Sequence, residues 1–116
     1  MSSRFKAHYA VYIEEDYEKA ITEIDRVISI NPTIQYARFV KFDISEKFGD
    51  IKNMKSIIQF FEESELRSKY HNNYIYMKSL QIKREDSVKE AKKYFKNNIK
   101  NYTEQAKERF INRLEK

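Results

Sequence analysis

Residues 16–32 read DYEKAITEIDRVISINP, and the stretch carries the punctuation of one complete amphipathic helix. Tyr17, Ala20, Ile21, Ile24, Val27 and Ile28 fall at i, i+3, i+4, i+7, i+10 and i+11, which places these apolar side chains on one face at helical periodicity. Asp16 stands where a short carboxylate accepts the free amide protons of a first turn, and Asn31-Pro32 closes the far end. Pro32, the only proline, is expected in the first turn of the next helix with Asn31 as its cap, because a missing amide costs nothing there. Asp50 follows Asp16 after 34 residues, behind Gly49, the only glycine, which suits the left-handed position at a helix end. A period of this length predicts stacked helix pairs.

The same i, i+3, i+7 skeleton returns as Ile51, Met54, Ile58 and as Val88, Ala91, Phe95. Ala20, Ala91 and Ser79 are small residues inside apolar stripes, where they let a neighbouring helix approach closely. Each repeated helix needs a partner, and segments near 4–14, 34–47 and 72–84 supply one. The least regular boundary lies over 62–71, where acidic residues collect at a helix C-terminus against the dipole, so a longer or looser connection is expected there. Residues 103–115 read as a last helix capped by Thr103, with Ala106, Phe110 and Leu114 in one stripe and Ile111 beside it. Such a helix covers the open side of the last pair, docks on a second chain through self-association, or leads into further repeats.

Tyr17, Ala20, Ile24, Val27 and Pro32 stand where the second helix of a tetratricopeptide repeat has its aromatic, its small residue, its large apolar residue, a second small or medium residue and its proline. The chain resembles that family over most of its length, at uneven strength. Residues 35–65 keep Gly49-Asp50 at the turn but hold Met54 in the small position and lack the proline, while 72–99 keep Ser79, Ala91 and Phe95. The resemblance implies an all-α fold of three antiparallel helix-turn-helix repeats, about 1–34, 35–71 and 72–102, stacked as a short solenoid. A C-terminal capping helix over 103–116 completes it.

Composition fits that expectation. A chain of 116 residues is one domain by length, and one glycine with one proline leaves little material for the turns of an all-β fold. There is no cysteine, so disulfides and thiol chemistry are excluded. The first dozen residues lack a basic segment followed by a long apolar run, which points to the cytoplasm, and no stretch approaches the ~20 apolar residues of a membrane helix.

The resemblance also implies a concave face built from the first helix of each pair. Its groove positions correspond here to Phe5, Tyr9, Tyr12, Tyr36, Phe39 and Tyr76, an aromatic set suited to an amphipathic helix or an extended peptide with large apolar anchors. The competing reading makes the same aromatics core. Family members that grip the acidic tails of chaperones share a clamp of lysine, arginine and asparagine. The matching positions hold Phe5, Tyr9, Val40, Asn73 and Met77, so chaperone-tail recognition is not expected.

Charge supplies a second expectation. The net charge is +5, but residues 1–66 carry 9 basic and 12 acidic side chains and residues 67–116 carry 14 and 6, so the two parts stand at −3 and +8. Lys89, Lys92, Lys93, Lys96 and Lys100 follow i, i+3, i+4, i+7 and i+11, a ridge opposite the apolar stripe. It reads as a solvated face, or as the binding face of an electrostatic adaptor for nucleic acid or an acidic protein. Catalysis and cofactors are not expected. His8 and His71 have no partner at metal-ligand spacing, the run Glu14-Glu15-Asp16 is explained by capping, and one glycine cannot build a phosphate loop.

Overall fold

A computed structural model describes residues 16–116. Every regular element among the described residues is a helix: α1 (Tyr17–Ile30), α2 (Gln35–Lys47), α3 (Ile51–Glu62), α4 (Leu66–Lys69), α5 (His71–Glu85), α6 (Val88–Asn98) and α7 (Glu104–Glu115). None is long and apolar enough to cross a membrane. The helix expected near 4–14 lies outside the described residues. The chain divides into two compact units, Met1–Asn53 and Met54–Lys116.

In the first unit α1 packs against α2. Ala20 and Ile24 are fully buried in one cluster with Ala37, Val40 and Ile44, and Tyr17, Ile21, Val27 and Ile28 pack around it. The periodic stripe of α1 is therefore its buried face. Two alanines, Ala20 from α1 and Ala37 from α2, remove bulk from this cluster, as close helix packing requires. Asp16 caps α1 by accepting from the Lys19 amide at 3.0 Å. Gly49 takes φ of 70°, where a Cβ would be penalised, and lets the chain leave α2.

Pro32 departs from its expected place. Asn31 is the C-cap of α1, its amide bonding to the Val27 carbonyl, and Pro32 and Thr33 form the turn before α2. α2 starts at Gln35 behind Ile34, with no side-chain cap. Proline has no amide to lose in either setting, so its chemistry is equally at home in the turn. The Pro32 carbonyl accepts a bond from Arg38 at 2.6 Å, which holds the turn to the helix that follows.

A polar clamp ties the start of α1 to the start of α3. The Tyr17 hydroxyl donates to Asp50 Oδ2 at 2.6 Å and accepts from Asn53 Nδ2 at 3.0 Å. The other Asp50 oxygen takes the Asn53 amide at 3.0 Å and so caps α3. The bond from Tyr17 holds the Asp50 carboxyl below its usual range, helped by the Asn53 amide, while burial pushes the Tyr17 phenol up, with the Asp50 bond adding to it. Tyr17→Phe is expected to cost about 1–2 kcal/mol in urea unfolding near neutral pH. A carboxyl with a depressed folded pKa contributes stability that is present above its unfolded value, about 3.9, and fades as pH falls through the folded one. The variant should therefore lose part of the acid dependence of the wild type. Coincident curves for the two proteins at both neutral and acid pH would show that the clamp contributes nothing.

In the second unit α6 packs against both α5 and α7, and α4 against α5. α6 is capped by Ser87, which accepts from the Glu90 amide at 3.1 Å, and α7 by Thr103, which accepts from the Ala106 amide at 3.1 Å. Ala91, Phe95, Phe110 and Leu114 are buried. The ring of Phe95 lies 4.5 Å from that of Phe110. Thus the apolar stripe of α7 is covered within the chain. Ser79 is fully buried and turns its hydroxyl back to the Ile75 carbonyl at 2.6 Å, so it packs as a small residue with its polar group satisfied.

The connection over 62–71 holds the one-turn helix α4. Glu62, whose carboxylate opposes the dipole at the end of α3, accepts the Tyr74 hydroxyl at 2.5 Å. The Arg67 guanidinium lies 4.6 Å from the centre of the Tyr74 ring. The unfavourable charge is met by a donor from α5 and a nearby cation from α4. Burial, then the bond to Glu62, pushes the Tyr74 phenol up to about 12. Farther along, Asn72 bonds both the carbonyl and the amide of Lys100, at 2.6 and 3.1 Å, and His71 Nε2 donates to the Asn98 carbonyl at 2.7 Å. These bonds hold the end of α6 to the start of α5.

Candidate functional site

The aromatic candidates do not share one environment. Phe5, Tyr9 and Tyr12 lie outside the described residues. Tyr36 and Phe39 sit at i and i+3 on α2, beside the buried Ala37 and Val40. Tyr36 is 50% exposed and Phe39 half-buried, so they border the core of the first unit and continue from it toward solvent. Ile30 at 72% and Ile34 at 42% add exposed apolar surface at the α1–α2 turn.

Tyr76 is placed otherwise. It is half-buried on α5, its ring 4.9 Å from that of Phe110 and 5.1 Å from the Arg113 guanidinium, both on α7. α7 thus covers part of the Tyr76 ring, which the sequence reading gave to a ligand. Sequence reasoning assigned Phe110 to the stripe of α7 but had no signal for which helix would receive it. Val40 and Met77, two of the positions matching a carboxylate clamp, are buried, and Asn73 is exposed.

The lysines are partly reassigned as well. Lys89, Lys92, Lys93 and Lys96 belong to α6 and line one shallow depression with Val88 and Asn97. Lys100 lies beyond the end of α6 at Asn98 and does not extend the helical ridge, because the Asn72 side chain holds its backbone. Lys92 is half-buried and pairs with Glu115 of α7 at 2.5 Å. The row does not stand opposite the stripe of Val88, Ala91 and Phe95. At about 100° per residue its centre lies roughly a third of a turn away, with Lys92 bordering the stripe.

The described residues hold no group of three or more His, Cys, Asp or Glu side chains placed for a metal ion. His71 is engaged by the Asn98 carbonyl, and His8 lies outside the described residues. Asp16 acts as a cap, and Glu14 and Glu15 also lie outside. Lys55 and Glu85 form an ion pair at 2.5 Å, and that bond holds the Glu85 carboxyl below its usual range, with Gln81 contributing. It is a structural tie between α3 and α5, exposed enough to be worth little.

These observations define an all-α protein whose described candidate surfaces are an aromatic edge on α2 and a cationic depression on α6. No family model matches the chain, and no curated protein or solved structure matches it significantly.

Proposed function

We propose that the chain is a non-enzymatic protein-interaction module of the tetratricopeptide-like kind. It takes a peptide or an amphipathic helix on an aromatic surface that includes Tyr36 and Phe39. The observation that carries this reading is the exposure of Tyr36 at half its surface on a helix whose adjoining face is fully packed. A tyrosine there offers a large rigid contact and a hydroxyl at the rim, a combination enriched at binding hot spots. The small buried residues Ala20, Ala37, Ser79 and Ala91 support the helical-repeat reading, since close packing of successive helices needs them. Phe5, Tyr9 and Tyr12 remain part of the proposed surface. Tyr76 contributes less, since α7 already takes its ring.

A displayed peptide library tests this directly. Selection on the wild-type protein should enrich sequences with large apolar residues at i and i+3 or i+4, with binding falling about tenfold or more in Tyr36→Ala. The variant should keep its helical circular dichroism and lose little stability, as an exposed site allows. If Tyr36→Ala or Phe39→Ala unfolds the protein, the aromatics are core and the proposed surface is lost. Equal enrichment on wild type and a folded Tyr36→Ala would also defeat it.

A further inference from the structure

The depression on α6 joins two chemistries. Val88 lies on the seam with the buried Ala91 and Phe95, so the floor begins apolar, and the lysine stems extend it. The rim is cationic. Lys89, Lys93 and Lys96 are exposed and make no ion pair among the described residues. Only Lys92 is paired, and its partner, the Glu115 carboxylate, comes from the chain's own α7. That contact places a carboxylate carried on a helix against one of the lysines of the depression.

We propose that this face of α6 binds an acidic amphipathic segment of a partner protein. Carboxylates one helical turn apart would engage Lys89, Lys93 and Lys96, and an apolar side chain would lie over Val88 beside the first of them. The chemistry favours carboxylates over a nucleic-acid backbone. Lysine meets phosphate as well as carboxylate as a point charge, but bidentate guanidinium groups and free amides give phosphate recognition its geometry, and single strands add aromatic stacking. The depression contains neither arginine nor an aromatic ring, and its floor rewards an apolar side chain. The three unpaired ammonium groups on one helix also repel one another, a cost that an anionic partner relieves. The surface lies on a different helix from Tyr36 and Phe39, so it stands or falls independently of the aromatic reading.

The test is fluorescence anisotropy with a labelled, helix-forming synthetic peptide bearing glutamates at i, i+3, i+4 and i+7 beside leucines. The same peptide with glutamine for glutamate and a labelled oligothymidylate of about 20 nucleotides serve as comparison probes. The glutamate peptide should bind wild type and weaken as salt rises. Its affinity should fall about tenfold in the triple variant K89E/K93E/K96E, since three exposed pairs of modest individual worth are reversed. The neutral triple variant K89Q/K93Q/K96Q should show a smaller loss, and Tyr36→Ala none. These exposed lysines make no ion pair among the described residues, so both triple variants should keep the wild-type circular dichroism. Absence of glutamate-peptide binding at low salt overturns the proposal, as does equal binding to the folded variants or to the glutamine peptide. Tighter, lysine-dependent binding of oligothymidylate would overturn it too, by assigning the face to phosphate.

Discussion

Phe95→Ala is expected to lower the free energy of unfolding by about 3–5 kcal/mol, the range for deleting a fully buried aromatic ring. Phe95 is 1% exposed and lies between rings from two other places in the chain, Phe110 of α7 at 4.5 Å and Tyr102 before α7 at 6.1 Å. Removing it forfeits the transfer of a large apolar surface and leaves a cavity that the surrounding helix backbones can only partly close. The aromatic pairings lost with the ring add to the deficit. Equilibrium urea unfolding followed by circular dichroism measures the effect. A loss below about 1 kcal/mol would mean that Phe95 does not hold α6 and α7 together.

Ile24→Ala should produce the second large effect, about 2–5 kcal/mol in the same measurement. Ile24 is 0% exposed and sits in the cluster shared by α1 and α2, where Ala37, Val40 and Ile44 face it. The informative comparison is Ile30→Ala, six residues along the same helix. Ile30 is 72% exposed, and its replacement should stay within about 0.5 kcal/mol of wild type. The two isoleucines have the same chemistry and differ in which face of α1 they occupy, Ile30 being also its last residue. Comparable losses at both positions would show that the face assigned to the core is wrong.

The starts of α1, α3 and α7 were legible because capping is local chemistry. Asp16, Asp50 and Thr103 each accept the amide three residues ahead, and a short polar side chain before an apolar stripe is sufficient to mark that arrangement. The stripes of α1, α6 and α7 could be read for a related reason, since each buries one face and leaves the other to water. α5 resisted that reading. Tyr74, Ile75, Met77, Ser79, Leu80 and Gln81 are buried around most of its circumference, so no single stripe marks where its neighbours lie.

The candidate surfaces were less legible than the fold. Spacing along α6 grouped Lys89, Lys92, Lys93 and Lys96, and the structure brings those four to one depression. It carried no sign that the helix would stop before Lys100, because the residue that holds the exit is Asn72, 28 positions earlier. Tyr76 illustrates the same limit. Helical periodicity places an aromatic on a face, but the partner facing it, Phe110, is set by how the chain returns. The clamp of Tyr17, Asp50 and Asn53 was half visible, as Asp50 was expected to cap, while its second role depends on a contact across 33 positions.

The bonds from Asn72 to Lys100 bear on how the molecule meets a protease. A trypsin-like enzyme needs the chain at a lysine drawn out straight, with its amide and carbonyl free to pair with the enzyme. At Lys100, in the exposed link between α6 and α7, both groups are already taken by one asparagine side chain, and Asn101 turns the backbone away at φ of 58°. Cutting there first requires those two bonds to open, although the site itself is exposed.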